Sequence, residues 1–146
     1  MKSRSKGFTL IELMVVVALI AVASGLVSLA LRDPTATQLE QEGARLAALL
    51  EAARAEARAS GLAVTWEPHG PDATESPNFR FIGLPPSDDI PQHWLAPGVS
   101  ADVIGARAVV LGPEPLIGAQ RIVLSLAERR LVLATDGLGP FVVTSE

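Results

Sequence analysis

Apolar and polar residues follow three different patterns along this 146-residue chain. Residues 13–31 are uncharged and mostly apolar, residues 39–57 place apolar or small side chains at helical spacing, and short β-branched or aromatic runs alternate with turns after residue 61. As a helix rising about 1.5 Å per residue, residues 8–31 would extend roughly 30 Å or slightly more, which matches the hydrocarbon core of a bilayer. The first pattern therefore predicts a transmembrane helix over residues 8–32.

The charges that flank this apolar run indicate its orientation. Lys2, Arg4 and Lys6 precede the run, and only Arg32 and Asp33 follow it closely. Basic residues are retained on the cytoplasmic side of a membrane span. We therefore expect a cytoplasmic leader over residues 1–7 and a head on the far side of the membrane.

Glu12 is the one charged residue inside the predicted span. A carboxylate at the centre of such a span costs about 2.5–3.5 kcal/mol on insertion scales. We therefore expect the Glu12 carboxylate to have a partner that neutralises its charge. Cleavage between Gly7 and Phe8 would create a free α-amino group at Phe8, and that ammonium would neutralise Glu12 of a neighbouring subunit in an assembly. Gly7 is small enough to let a peptidase approach the backbone closely.

The sequence Gly-Phe-Thr-Leu-Ile-Glu at residues 7–12, between a basic leader and a long apolar run, resembles the signal of type IV pilins and type II secretion pseudopilins. The resemblance implies that a prepilin peptidase cleaves after Gly7 and methylates Phe8, and that Glu12 acts in assembly. Two other interpretations remain open. Ala21-Val22-Ala23 would suit the cleavage site of an ordinary secretory signal, and an ordinary single-pass anchor is the second alternative.

The second pattern predicts an amphipathic helix over residues 33–60. Asp33-Pro34 interrupts the first helix, and Ser60-Gly61 is a typical stop signal. One apolar stripe recurs at spacings of three and four: Leu39, Gly43, Leu46, Leu50, Ala53 and Ala57. The polar residues assigned to the other faces are Gln41, Glu42, Arg45, Glu51, Arg54 and Arg58. We expect the stripe to pack on a sheet of the same chain rather than to form a coiled-coil seam.

The third pattern predicts a β-rich head over residues 61–146. Strands are expected at residues 62–67, 79–84, 103–111, 122–126, 131–135 and 141–144. Residues 127–129 are expected to form a hairpin turn, and residues 68–97, with seven of the eleven prolines, an irregular connection. The predicted class is α+β: a long N-terminal helix packed on a small antiparallel sheet or β-sandwich, as in pilins.

Four segments of the head (79–84, 91–95, 111–118 and 135–141) resemble the minor pseudopilin of type II secretion called protein H. This resemblance implies a subunit at or near the tip of a periplasmic pseudopilus, anchored in the inner membrane, that helps export folded proteins. Its partners would be the prepilin peptidase, the other minor pseudopilins, the major pseudopilin and the inner-membrane assembly platform, with secreted cargo as a further candidate. The alternative is a minor pilin of a type IV pilus, acting in adhesion, motility or DNA uptake.

Composition argues against other classes of function. Removal of the leader leaves nine basic against sixteen acidic residues, so no nucleic-acid partner is expected. There are no cysteines, which excludes disulfides and thiolate metal sites. His69 and His93 are expected to be surface or half-buried residues, and Asp88-Asp89 a solvated turn, because two acids cannot surround a calcium ion. No catalytic residue, metal or cofactor is therefore predicted.

Overall fold

The computed structural model describes residues 8–30, 34–69, 77–85 and 90–144, with side chains of the first range described up to Gly25. The chain divides into two compact units, Met1–Asp33 and Pro34–Glu146. The first contains helix α1 (Leu10–Ala30). The second contains helix α2 (Pro34–Ser60) and strands β1 (Val64–Pro68), β2 (Phe79–Ile82), β3 (Ser100–Val103), β4 (Val109–Gly112), β5 (Gln120–Leu126), β6 (Arg129–Thr135) and β7 (Val142–Thr144).

Helix α1 is apolar on every face, and all of the side chains described for this unit are exposed. Leu10 and Leu19, for example, are 77% and 64% exposed. Within the described residues, no helix meets the combined length and hydropathy of a membrane span.

Helix α2 spans Pro34–Ser60, and Asp33, the first residue of the predicted amphipathic helix, lies outside the described residues. It begins at Pro34, whose fixed φ and missing N–H suit the first position of a helix. It ends at Ser60, where Gly61 takes a φ of +68° and donates its N–H to the Ala57 carbonyl at 3.0 Å. All six residues of the predicted apolar stripe are buried.

The predicted polar face of α2 is wrong at two positions. Glu42 and Arg54 are only 1% and 2% exposed, although the pattern placed both outside the apolar stripe. Each side chain bonds to backbone groups of loops that pack over the helix, so burial is compatible with charge at these positions.

Two antiparallel sheets complete the second unit. One has the strand order β2-β1-β4 and the other β3-β5-β6-β7. Helix α2 packs on β6, β4 and β5, and buried side chains of the helix and both sheets form a single core. The fold class predicted from the sequence, a helix on a small antiparallel β-structure, is confirmed.

The sequence pattern predicted a single strand over the apolar run 103–111, and this prediction is wrong. It contributes to β3 and β4, which belong to different sheets. Gly105 lies between them with a φ of +78°, a left-handed conformation that ends one strand and starts a turn. By contrast, the predicted turn between β5 and β6 is present at Ala127 and Glu128.

The proline-rich connection includes strand β2 and is tied together where the structure describes it. The Asn78 carbonyl accepts from the His69 N–H at 2.8 Å, and the Asn78 side chain accepts from the Trp94 N–H at 2.9 Å. Phe79 donates its N–H to the Gln92 carbonyl at 3.2 Å. These bonds hold the described parts of the connection against the three-stranded sheet.

Candidate functional site

The first turn of α1 has a hydrogen-bonded cap. Thr9 precedes the helix, and its Oγ1 accepts from the Glu12 N–H at 3.3 Å, while its carbonyl accepts from the Leu13 N–H at 3.2 Å. A threonine followed three residues later by a glutamate is the sequence signature of a capping box. The sequence reasoning missed this role of Thr9, although the Thr-Leu-Ile-Glu spacing contained the signal.

The carboxylate of Glu12 lies in the first turn of α1, where the helix dipole favours negative charge. The Glu12 side chain is exposed, and Phe8, two residues before the helix, is 82% exposed. Gly7, the third predicted site residue, lies outside the described residues. An exposed apolar helix with one carboxylate near its start is therefore the local geometry at this end of the chain.

Glu42 anchors the start of α2 to the proline-rich connection. Its Oε1 accepts from the backbone N–H groups of Leu95 and Ala96, the latter at 2.7 Å. Arg45, one turn further along, lies 3.4 Å from the Glu42 Oε2 and donates to the His93 carbonyl at 3.0 Å. A buried acid and a partly exposed base thus fix residues 93–96 on the helix.

Arg54 anchors the end of α2 to the turn that precedes β7. Its guanidinium donates to the carbonyls of Gly137 and Gly139, each at 2.8 Å, and to the Pro115 carbonyl at 3.4 Å. Glu51 lies 3.7 Å from the guanidinium and accepts from the Phe141 N–H at 3.1 Å. These contacts satisfy backbone groups of two loops with charged side chains of one helix face.

The turn that Arg54 holds has a carboxylate of its own. Asp136 Oδ1 accepts from the N–H groups of Gly139 at 2.7 Å and Leu138 at 2.9 Å. These two bonds, with a smaller contribution from the positive charge of Arg54, hold the pKa of Asp136 below its ordinary value. The group is exposed, so it shapes the turn rather than a reactive site.

The histidines are not assembled into a catalytic arrangement. His93 is exposed, and His69 is half-buried with an Nδ1 that has no hydrogen-bond partner in the part of the chain that the structure describes. Trp66 is fully buried against Phe79, with ring centroids 5.9 Å apart, and Trp94 packs against the same ring with centroids 4.7 Å apart and the ring planes tilted by 55°. The aromatic residues therefore serve the core.

Acidic and histidine side chains were also candidates for holding a metal ion. Asp88-Asp89 lies outside the described residues. Across the four described ranges, no group of three or more histidine, aspartate or glutamate side chains converges as metal ligands would.

Comparison with known proteins gives one family match and one structural match. The prokaryotic N-terminal methylation motif matches residues 2–28. The type IV minor pilin FimU of Pseudomonas aeruginosa PAO1 is similar to this chain in structure, with a TM-score of 0.56 and 16% sequence identity over 75% of this chain and 90% of FimU. The search of curated proteins found no match.

These findings show a prokaryotic N-terminal methylation motif at residues 2–28 and a pilin-like fold. Such a motif implies processing by a prepilin peptidase and assembly with other pilin-like subunits.

Proposed function

We propose that this chain is a minor subunit of a type IV pilin-like filament. The observation that carries the proposal is the methylation motif over residues 2–28, which covers the Gly7–Phe8 junction and the start of α1. The capped, apolar and exposed helix α1, with Glu12 in its first turn, supports it, because such a surface is suited to lipid or to the helices of other subunits.

In this proposal the chain has four functional parts. Residues 1–7 form a leader that the peptidase removes, and residues 8–32 form the span that anchors the protein in the inner membrane. Residues 33–60 form the amphipathic helix, and residues 61–146 form a periplasmic β-rich head. The methylated amine of Phe8 meets Glu12 of an adjacent subunit, which places opposite charges together in a low-dielectric environment.

Two assignments within this class have support. The head segments that resemble protein H favour a minor pseudopilin at or near the tip of a type II secretion pseudopilus, which helps export folded proteins. The structural similarity to FimU favours a minor pilin of a type IV pilus. Deletion of the gene separates them: loss of exoenzyme secretion with intact twitching and transformation supports the first, and the opposite outcome supports the second.

The proposed partners follow from the same class. They are the prepilin peptidase, the other minor and major subunits and the inner-membrane assembly platform, with secreted cargo as a candidate for the head. We propose no catalytic activity for the chain, which is itself a substrate of the peptidase. Turnover by the purified protein that His93→Ala abolishes would contradict this part of the proposal.

Mapping of the mature N-terminus tests the function directly. Mass spectrometry of the protein extracted from membranes should find a chain that begins at Phe8 and carries one additional methyl group. Replacement of Gly7 by valine should leave most of the precursor uncut, because the added side chain blocks the approach of the peptidase to the backbone. Gly25→Val is the matched control, since Gly25 has open space around it. A mature chain that begins at Met1 or Ser24 would overturn the proposal.

A further inference from the structure

One dipeptide of the second unit combines a tight turn with a chemical liability. Asp136-Gly137 is the one Asp-Gly pair in the sequence, and the chain has no Asn-Gly pair. In an Asp-Gly pair the backbone nitrogen of the glycine can attack the carboxyl group of the aspartate, because glycine has no Cβ to hinder the approach. The product is a cyclic succinimide, which hydrolyses mostly to isoaspartate. Asp136 is therefore the residue of this chain at which isomerisation is chemically easiest.

The reaction makes and breaks defined bonds. A bond forms between the Gly137 nitrogen and Cγ of Asp136, the nitrogen loses its proton, and one carboxyl oxygen leaves as water. Water then adds to the backbone carbonyl carbon of Asp136 and opens the ring, so that the main chain runs through Cγ and the mass is that of the original chain. The first step needs a protonated carboxyl, because the oxygen of a carboxylate is a poor leaving group.

The turn requires both residues of this pair. Gly137 has a φ of +91°, and a Cβ at this position would lie 2.6 Å from the Gly118 carbonyl oxygen. Both features restrict the position to glycine. Oδ1 of Asp136 accepts from the N–H groups of Leu138 and Gly139, which closes the turn. Any protection of the pair against isomerisation therefore has to come from its surroundings.

A buried hydroxyl group holds the nucleophilic nitrogen. The Gly137 N–H donates to Oγ1 of Thr135 at 3.0 Å, and the same hydroxyl donates to the Gly139 carbonyl at 2.8 Å. Thr135 is only 6% exposed, so these bonds are shielded from water. Attack on Cγ would take the Gly137 nitrogen out of its peptide plane and break its bond to Thr135. The folded turn thus restrains the nucleophile.

The rest of the turn is restrained as well. Arg54 donates to the carbonyls of Gly137 and Gly139, each at 2.8 Å, which fixes the peptide that follows the reacting nitrogen. The bonds from Gly139 and Leu138 to Oδ1 hold the pKa of Asp136 below its ordinary value. The carboxyl group therefore stays ionised at neutral pH, and an ionised carboxyl is a poor electrophile.

We propose that Asp136 is a latent site of isoaspartate formation and that the Thr135 hydroxyl keeps this site unreactive in the folded chain. Thr135 is a positioning residue, because it holds the Gly137 nitrogen and does not itself react. The modification occurs when the turn opens or the second unit unfolds. The inference is independent of the proposed function, since it concerns the covalent stability of the second unit and not its partners.

Isoaspartate formation in the full-length protein in detergent tests the proposal. Samples are incubated for several weeks in mildly acidic buffer, below the temperature of unfolding. Chromatography and fragmentation spectra then distinguish the two forms of the peptide that contains Asp136, because their masses are equal. The folded parent chain should isomerise at least about tenfold more slowly than the same chain in denaturant, since the reaction requires opening of the turn. Equal rates in the two conditions would overturn the proposal.

Two substitutions at Thr135 separate the hydroxyl group from the shape of the side chain. Thr135→Val keeps the shape but removes the acceptor of the Gly137 N–H, and the rate in the folded protein should rise about tenfold. Thr135→Ser keeps the hydroxyl and should stay close to the parent rate. A Thr135→Val rate equal to that of the parent contradicts the role of the hydroxyl, and so does a Thr135→Ser rate equal to that of Thr135→Val.

Glu42→Gln is the control for a general loss of stability, because it weakens the attachment of a different loop of the same unit. Tryptophan fluorescence before and after incubation establishes that each variant is folded. Glu42→Gln should isomerise at the parent rate. If it isomerises as fast as Thr135→Val, the stability of the whole unit protects Asp136, and the role assigned to Thr135 is wrong.

Hydrogen exchange in the parent chain provides a measurement that needs no variant to fold. The Gly137 amide should exchange at least about tenfold more slowly in the folded protein than in denaturant, because its N–H is bonded to Thr135. An unprotected Gly137 amide would overturn the proposal, because the nitrogen would then be free to react in the folded chain.

Discussion

The two units of the chain place their charged side chains in opposite environments. In residues 8–25, Glu12 is exposed on a helix whose apolar residues are exposed as well. In residues 34–144, Glu42 and Arg54 are buried and bonded to the backbone of distant loops. The second unit therefore bonds the Glu42 carboxylate and the terminal nitrogens of Arg54 to its own backbone, whereas the described part of the first unit leaves an acid and an apolar surface exposed.

This difference indicates which residues matter for assembly and which for folding. A change at Glu12 should affect contacts between molecules and leave the fold intact. Changes at Glu42 or Arg54 should affect the stability of the second unit and act on assembly only through the fold. Both tryptophans, Trp66 and Trp94, lie in the second unit, so tryptophan fluorescence of the full-length chain reports the unfolding of that unit alone.

The largest effect is expected at Glu12. Glu12→Gln should allow cleavage at Gly7 but reduce incorporation into filaments about tenfold or more, because removing one member of a buried ion pair costs about 3–5 kcal/mol. Incorporation is measured by the fraction of the processed protein that sediments with sheared filaments.

Thr9→Ala is the control that separates charge from capping at this position. It removes the Thr9 Oγ1 bond to the Glu12 N–H but retains the carboxylate, at a cost of about 1 kcal/mol to the helix. We expect Thr9→Ala to assemble far better than Glu12→Gln. Equal defects in the two variants would show that Glu12 acts through the helix cap, and the pairing with the Phe8 amine would be wrong.

The second-largest effect, on the free energy of unfolding, is expected at Arg54. Arg54→Met retains the aliphatic bulk but leaves the carbonyls of Gly137 and Gly139 without their donor, which should lower the free energy of unfolding by about 3 kcal/mol. Denaturation of the full-length protein in detergent, followed by tryptophan fluorescence, measures the change. Arg58→Met is the control on the exposed face of the same helix and should stay within about 0.5 kcal/mol of the parent chain. Equal losses in the two variants would contradict the anchoring role of Arg54.

Glu42 should have a smaller effect than Arg54. Glu42→Gln keeps an oxygen that accepts from the N–H groups of Leu95 and Ala96 but loses the charge, so the free energy of unfolding should fall by about 1–2 kcal/mol. Glu40→Gln, at an exposed position two residues earlier, is the control. A Glu42→Gln variant as stable as the control would show that the charge contributes nothing to the attachment of residues 93–96.

The regular parts of the second unit could be predicted from the sequence because they follow from local periodicity. The stripe from Leu39 to Ala57 has the spacing of a helix face, and Gly61 supplies the left-handed conformation that ends the helix. The split of residues 103–111 was missed because Val103, Ile104 and Val109–Leu111 form one largely apolar run, although only Val103 of that run belongs to β3. Gly105, with its positive φ, lies in the turn between the two strands, which belong to different sheets.

The buried charges could not be predicted for a different reason. Glu42 and Arg54 border the apolar stripe on a helical wheel, and their partners are backbone groups 53 to 85 residues further along the chain. Backbone groups have no residue identity, so no sequence pattern reveals such a bond. Gly7, Phe8 and Glu12, by contrast, lie within six consecutive positions, so a local sequence motif was enough to indicate them as candidates.

The smallest effect is expected at Asp136, the exposed acid of the second unit that is bonded within its own turn. Its pKa is lowered in the folded protein, so its contribution to stability is complete above the pKa of the unfolded chain, about 3.9, and is lost as the pH falls through the folded value. Asp136→Asn keeps an oxygen acceptor for the N–H groups of Leu138 and Gly139 but does not titrate. The parent chain should therefore be slightly more stable than the variant at neutral pH, and this difference should shrink below about pH 4. Fluorescence-monitored unfolding of both proteins at several pH values measures it. A difference that stays constant down to the acid limit would show that the carboxylate charge does not stabilise the turn, in contrast to the charges of Glu42 and Arg54.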